Sequence, residues 1–347
     1  MEEKNTDKPI RIMIAGIGGA SLGTEIFKSL HLADGYEVYG CDVSATAYGL
    51  YDPGFLRTYL VSRENYVESV IEACVDAEIR CLIPGGEQPM TLLGAAANKL
   101  SDAGIQFIAN SPEVISLFSD KEMTFKKLAE SGVAMPRTIA VNHAEDLDHV
   151  GFPCIIKPAT GSGGSVAVFF ALSAEEAMIY ADFIRRTGSV PIAQEYVDVA
   201  EGEYTIGVLS LPDQRVVGAI ALRRALDAKL SVAYRGRGGL VSSGYSQGYI
   251  DEYPDICRQA EKIALAIGSR GPINIQGRVR DGVLLPFEIN PRFSASTYLR
   301  ALAGFNEIDI FLRHVVKGVF SRREAIKPGW YLRSLSERFV PAEVFRA

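Results

Sequence analysis

Between Arg11 and Ala109, strand-length apolar runs alternate with helical patterns at short spacing, which restricts this stretch to an α/β domain built on a parallel sheet. Arg11 to Ala15 reads as a strand, followed by a glycine-rich turn and a helix from about Leu22 to Leu30. Glu37 to Cys41 is a second strand, and Tyr66 to Ala77 has helical periodicity. Arg80 to Pro84, a helix over Met90 to Leu100 and a strand over Gln106 to Ala109 complete a doubly wound sheet within residues 1–112. Ser111-Pro112 then opens a helix with proline at its first position. A second helix starts at Ser119, where Ser119 and Glu122 have the spacing of a capping box, and Gly132 ends it. Cys154 to Pro158 and Val166 to Leu172 read as strands flanking a Gly/Ser loop, and Ser173 caps the next helix. Long strands follow over Glu203 to Leu211 and Val216 to Arg224, then a helix from about Tyr253 to Ile267. Asn274 to Ile289 reads as a hairpin, and the residues around Trp330 as an appended tail.

The chain has 347 residues, 48% of them hydrophobic, enough for a large core and two or three structural units. Its formal net charge of −6 gives no support for general nucleic-acid or membrane binding. No run approaches the roughly 18 apolar residues of a membrane span. Met1 to Pro9 is polar and charged, unlike a signal peptide. The five cysteines form no CxxC pair and read as reduced, buried thiols of a cytoplasmic protein. The four histidines lack any metal-binding spacing.

Gly16-Ile17-Gly18-Gly19 leads into Gly23 after a strand and before a helix, as in a dinucleotide fingerprint. Ser21 stands where the third glycine belongs, while Asp42 follows the second strand as a ribose-binding acid would. A tight strand-to-helix turn without a nucleotide is the favoured reading, because a better site lies downstream.

That site rests on four features. Lys121 sits in the first turn of a helix, facing the positive end of the dipole, where a phosphate would offset the unfavourable field. Lys157 lies inside the apolar strand Ile155-Ile156-Lys157-Pro158, and a buried lysine needs a partner. The loop after it, Thr160-Gly161-Ser162-Gly163-Gly164-Ser165, can bring backbone N–H groups to phosphate oxygens and can move as a lid, although it is not a P-loop. Gln194-Glu195-Tyr196-Val197 offers backbone groups to an adenine edge, with Glu203 nearby as an acceptor for ribose hydroxyls. Finally, Gln276 lies on one strand of the hairpin and Glu288 and Asn290 on the other, two apart and therefore on one face. Such oxygen ligands suit Mg²⁺ held together with phosphates, and the fork of Arg292 fits phosphate or carboxylate.

Register makes the hairpin testable. With Asp281-Gly282 as a strict two-residue turn, Gln276 would pair with Phe287 and point away from Glu288. A shared metal site therefore requires a three-residue loop or a bulge, which Gly282 and Pro286 both permit.

In order and spacing, these residues resemble the ATP-grasp superfamily, in particular a single copy of the carbamoyl-phosphate synthase large-subunit unit and its stand-alone relatives, over roughly residues 10–318. The resemblance implies a Rossmann-like pre-ATP-grasp domain (1–112), a small lobe with the Gly/Ser lid (113–192), a C-terminal lobe with the metal site (193–320) and a tail (321–347). It implies that Lys121, Lys157, Ser162, Gly163 and Gly164 meet ATP phosphates, and that Gln194, Glu195, Tyr196 and Val197, with Glu203 close by, form the adenine and ribose pocket. Gln276, Glu288 and Asn290 would hold two Mg²⁺ ions, with Mn²⁺ as a substitute. Arg292 would stabilise the transferring phosphoryl group, so that Glu288, Asn290 and Arg292 form the catalytic set.

The implied activity is carboxylate–amine ligation through an acyl phosphate, releasing ADP and phosphate. Biotin-carboxylase-like members carry a glutamate shortly after the final arginine. Here Phe293-Ser294-Ala295-Ser296-Thr297 holds no acid, which argues against a carboxylase. One copy of the unit, without a glutaminase-like Cys–His pair, also disfavours carbamoyl-phosphate synthesis. Arg223 or Arg224, Arg237, Arg300 and Glu87 are the candidate contacts for a small-molecule substrate. A carboxyl- or carbamate-phosphorylating enzyme, an NAD(P)-binding protein and a non-catalytic nucleotide-binding module are the alternatives. A homodimer is the base-rate expectation, with the Trp330 tail as a contact.

Overall fold

The computed structural model describes residues 8–119, 121–159 and 167–346, with the side chains of Ser119, Lys121 and Glu122 outside that description. The first unit comprises β1 (Ile10–Ala15), α1 (Leu22–His31), β2 (Tyr36–Asp42), β3 (Arg57–Leu60), α2 (Tyr66–Asp76), β4 (Cys81–Pro84), α3 (Glu87–Ala95), α4 (Ala97–Asp102) and β5 (Gln106–Phe107). Its strands form a parallel sheet in the order β3-β2-β1-β4-β5. This is the doubly wound sheet read from the sequence, with two differences. The edge strand β3 is additional, and the helix expected over Met90–Leu100 is two helices that meet at Ala96.

The hairpin of helices α5 (Pro112–Ser119) and α6 (Lys121–Glu130) leads into a second sheet. Its strands β6 (Thr138–Ala140), β7 (Cys154–Pro158), β8 (Phe169–Ala171) and β9 (Pro191–Glu195) are antiparallel in the order β6-β9-β7-β8, backed by α7 (Ala174–Arg186). Ser173 caps α7 by accepting from Glu176 N–H. The strand β9 ends at Glu195.

The largest sheet holds β10 (Glu203–Ser210), β11 (Val216–Arg224), β14 (Gly248–Asp251), β15 (Pro272–Arg280), β16 (Val283–Asn290) and β17 (Gly329–Tyr331) in the order β16-β15-β10-β11-β14-β17. A separate hairpin, β12 (Val232–Gly236) and β13 (Gly239–Ser242), lies between β11 and β14, and α8 (Pro254–Ala266) follows them. The helices α9 (Thr297–Leu302) and α10 (Glu307–Lys317) precede β17.

Period two divides the sheet's faces. Tyr204, Ile206 and Val208 on β10 and Ile273, Ile275 and Val279 on β15 share a core with α8 residues Ile256, Ala260 and Ile263. The first parallel sheet shares a continuous core with the C-terminal part: Ile12, Ile14 and Ile26 pack in one cluster with Leu222, Phe293, Leu299, Phe305 and Ile308. The tail is not an appendage, because β17 pairs with β14 through Tyr249↔Trp330. Among the described residues no helix is long and apolar enough to cross a membrane. All five cysteines are free and buried, and burial pushes the Cys74 and Cys81 thiols up to about 12.

Candidate functional site

The same alternation that sends the isoleucines of β15 to α8 leaves Asn274, Gln276 and Arg278 on the opposite face. Whether β16 supplies partners for them depends on register. Asp281 and Gly282 both have positive φ, 53° and 71°, and form the two-residue turn between Arg280 and Val283. A strict ladder from this turn would set Gln276 against Phe287. Instead the register shifts: Gly277 faces Pro286, Gln276 faces Glu288, and Phe287 is the extra residue of a bulge. Leu284 and Ile289, an odd number of residues apart, therefore both enter the α8 core. Gln276 Nε2 donates to Glu288 Oε2 at 2.8 Å, and the next rung on the same face pairs Asn274 with Asn290.

The bulge also sets a second contact. The carbonyl of Phe287 accepts from Lys157 Nζ at 3.1 Å. That lysine is buried on β7 and also donates to Gln194 Oε1 at 2.8 Å. Gln194 passes the network on by donating to Thr138 Oγ1 at 2.9 Å. A cleft runs between the two antiparallel sheets. Its walls include apolar Ile155, Val168, Leu240 and Phe287, with Lys157, Gln194, Gln276 and Glu288 as polar groups and the 195–197 segment along one side.

Arg278 organises that segment. Its Nη1 donates to Val197 O at 2.7 Å, Nη2 to Leu240 O at 3.0 Å and Nε to Glu203 Oε2 at 2.8 Å, while the guanidinium lies 4.8 Å from the Tyr196 ring centroid. The sequence reading did not include Arg278. The signal was present, since it lies two residues after Gln276 on the same strand face. Glu195 is one of the residues lining the cleft. Its carboxylate turns to Arg137 and Arg280, and although burial pushes it up, the hydrogen bonds from those arginines hold it below the usual range.

A match to the ATP-grasp domain family covers residues 118–296, just over half of the chain. The chain belongs to the ATP-grasp family. It is 30% identical over 216 residues to the carbamoyl phosphate synthase large chain of Neisseria meningitidis serogroup B, an alignment covering 60% of this chain and 19% of that one. The chain thus spans about a fifth of that relative's length. Among solved structures it superposes on an L-amino acid ligase from Bacillus licheniformis with a TM-score of 0.66 at 16% identity, covering 93% of this chain and 78% of the other. A biotin carboxylase from Campylobacter jejuni, solved as a β-γ-ATP complex, gives a TM-score of 0.69 at 18% identity, covering 92% and 74%.

Within this ATP-grasp chain the sequence-derived residues fall into separate groups. Lys157, Gln194, Glu195, Tyr196, Val197, Gln276 and Glu288 line one cleft. Asn290 lies at the next rung on the same face, largely buried. Arg292 follows on the turn after β16, where burial lowers its pKa and the fields of Glu288 and Glu87 oppose that shift. Glu87 lies at the start of α3 in the first unit and does not line the cleft. Ser162, Gly163, Gly164 and the Lys121 side chain lie outside the described residues.

Three of the candidate arginines and one acid lie away from the cleft, and a fourth arginine lies beside it. Arg300 does not reach the cleft: it is fully buried, donating to Glu307 Oε1 at 3.0 Å and Asn274 Oδ1 at 2.6 Å. Arg223 is exposed on the opposite face of β11 from Arg224, and Arg237 is exposed at the tip of the β12–β13 hairpin. Arg224 does face inward, as one of the two adjacent arginines had to: its Nη1 lies 3.5 Å from Oε1 of the cleft residue Gln276, while its Nη2 donates to the carbonyls of Ser231, Ser243 and Tyr245 and braces the 225–247 segment. Glu203 is fully buried behind the cleft, 2.8 Å from Arg278 and 3.5 Å from Arg224, rather than open to a ribose. In the first unit, Asp42 accepts from Ile17 N–H at 2.8 Å and from Ser44 N–H at 2.9 Å. Its carboxylate ties the glycine turn to β2.

Replacing Arg278 with methionine is expected to weaken ATP binding about tenfold, the equivalent of roughly 1.5 kcal/mol for one charge-assisted hydrogen bond. Isothermal titration of the variant with Mg·ATP measures this. Unchanged affinity would show that Arg278 does not organise the pocket.

Proposed function

We propose that this protein is an ATP-dependent carboxylate–amine ligase. The observation that carries the reading is the Phe287 bulge, which sets Gln276 opposite Glu288 and presents a backbone carbonyl to Lys157 in the cleft between the lobes. Lys157 would meet phosphate oxygens, the 195–197 segment the adenine edge, and Gln276, Glu288 and Asn290 two Mg²⁺ or Mn²⁺ ions. Among the described residues there is no cluster of three His, Cys, Asp or Glu side chains. The donor set of one carboxylate and two amides accordingly fits a metal that brings phosphate oxygens with it rather than one caged by protein alone. When bound, the metal neutralises phosphate charge.

In this reading a substrate carboxylate oxygen attacks the γ-phosphorus, and the bond to the β,γ-bridging oxygen breaks to leave ADP. An amine then attacks the acyl carbon, phosphate departs and the amine proton is released, leaving an amide or peptide bond. Arg292 stabilises the charge on the transferring phosphoryl group, and positioning within the cleft supplies much of the rest. The similarity to the large chain of carbamoyl phosphate synthase favours a second reading in which bicarbonate or carbamate is the acid. The acid-free stretch Phe293–Thr297, with Phe293 and Ser294 buried, weighs for ligation. The buried free thiols support a cytoplasmic protein acting on small molecules.

Thermal-shift titration is expected to show stabilisation by Mg·ATP and none by NAD⁺. ADP release across a library of acid and amine pairs then identifies the substrates. Stabilisation by NAD⁺ and not by ATP would reject the reading.

A further inference from the structure

The chain's C-terminal segment carries a buried arginine that the ligase reading does not use. Arg333, two residues beyond β17, reaches into the junction between the large sheet and the first unit. Its side chain is 6% exposed, and its Nη1 lies 3.1 Å from Oε1 of Glu25 on α1, itself 3% exposed. Its Nη2 is also 3.3 Å from Glu25 Oε2 and donates to the carbonyl of Ala295. Nε donates to Ser246 O at 3.3 Å, and the Arg333 backbone N–H donates to Gln247 Oε1 at 3.1 Å.

These partners belong to three elements around the proposed reaction centre. Ala295 is on the turn that carries Arg292, a turn closed by Arg292 N–H to Asn290 O at 2.9 Å, Ser296 N–H to Ser294 Oγ at 3.0 Å and Thr297 N–H to Ser294 O at 2.9 Å. Ser246 and Gln247 end the segment whose carbonyls hold Arg224. Glu25 belongs to the helix that packs on α9 and α10. An arginine fork with two carboxylate oxygens and two carbonyls has one geometry, so it transmits position rather than mere proximity.

We propose that Arg333 is a positioning residue that, through its ion pair with Glu25, locks the Arg292 turn to the first unit, so that the C-terminal segment completes the reaction centre without touching substrate. The nucleotide cleft at Lys157 and 194–197 shares none of these contacts. Loss of the lock therefore lowers turnover while leaving nucleotide affinity unchanged. The kinetic part rests on the ligase reading; the structural part does not.

The test uses full-length Arg333→Met, with Arg333→Lys, which keeps the charge and loses the fork, Glu25→Gln, which keeps shape and loses the ion pairs of Glu25 with both Arg333 and Lys28, and Lys28→Met, a control that removes only the second of these. In Arg333→Met, hydrogen exchange of residues 290–297 is expected to accelerate by about tenfold or more through local opening. The kcat for ADP release is expected to fall by about 10–100-fold through misplacement of Arg292, with the dissociation constant for ATP within about twofold of wild type. Arg333→Lys falls between wild type and methionine. If Arg333→Met does not fold, Glu25→Gln carries the same measurements. Unchanged exchange at 290–297, or an ATP affinity that declines in step with kcat, would overturn the proposal. Wild-type protein that releases no ADP with any acid overturns the ligase reading instead, and the exchange measurement still decides the lock.

Discussion

Glu288→Ala is expected to lower ATP-dependent ADP release by at least about 10²–10³-fold, the usual scale for removing one preorganised electrostatic group from a reaction centre. Glu288 is partly exposed, and its hydrogen bond is to Gln276, another residue of the same proposed site. The fold therefore loses little when it is removed, and the variant should melt within a few degrees of wild type. Glu288→Gln is the sharper companion, because it keeps the shape and removes only the charge that a cation would meet. A coupled ADP assay over a range of Mg²⁺ concentrations reads both. Turnover preserved in the alanine variant would remove Glu288 from the chemistry and with it the metal assignment.

Glu203→Ala is expected to destabilise the protein by about 3–5 kcal/mol, the cost of leaving buried charges without their counter-ion. Glu203 is fully buried, and two guanidiniums depend on it, Arg278 at 2.8 Å and Arg224 at 3.5 Å. Burial already lowers the pKa of Arg224, and the field of Glu203 opposes that shift. Removing the carboxylate leaves both cations in a low-dielectric interior and loosens the Val197 and Leu240 carbonyls that Arg278 holds. Urea denaturation gives the loss as a shift in midpoint at constant slope. A destabilisation below about 1 kcal/mol would mean that water or rearrangement compensates the arginines, contrary to a sealed network.

Much of the backbone was legible in the sequence because its signals are local. The apolar runs, the glycine turn and the caps marked strands and helices within a few residues. Parity between Gln276 and Glu288 was enough to require a three-residue loop or a bulge, since facing is a matter of counting, and the structure has the bulge. The edge strand Arg57–Leu60 escaped because both of its faces are partly exposed and no apolar alternation marks it. Charged side chains were the least legible. Arg223 and Arg224 are adjacent, and only the pairing of β11 with β10 and β14 decides which one enters the interior. Arg300 is buried with Glu307, seven residues on, but its other partners Thr205 and Asn274 are 95 and 26 residues away, and no local pattern shows that the pair turns inward. Arg333 was overlooked for the same reason, its carboxylate partner being 308 residues distant.

The single extra residue at Phe287 makes the hairpin behave like a reading frame. Deleting one residue anywhere between Gly277 and Phe287 would either erase the bulge or shift the turn by one. Glu288 and Asn290 would then point at α8, and Ile289 at the cleft. Changes of two residues at the Asp281-Gly282 tip would keep every side chain on its present face. The placing of Gln276, Glu288 and Asn290 on one face therefore depends on an odd count, a discrete quantity that no gradual adjustment of side-chain packing can replace.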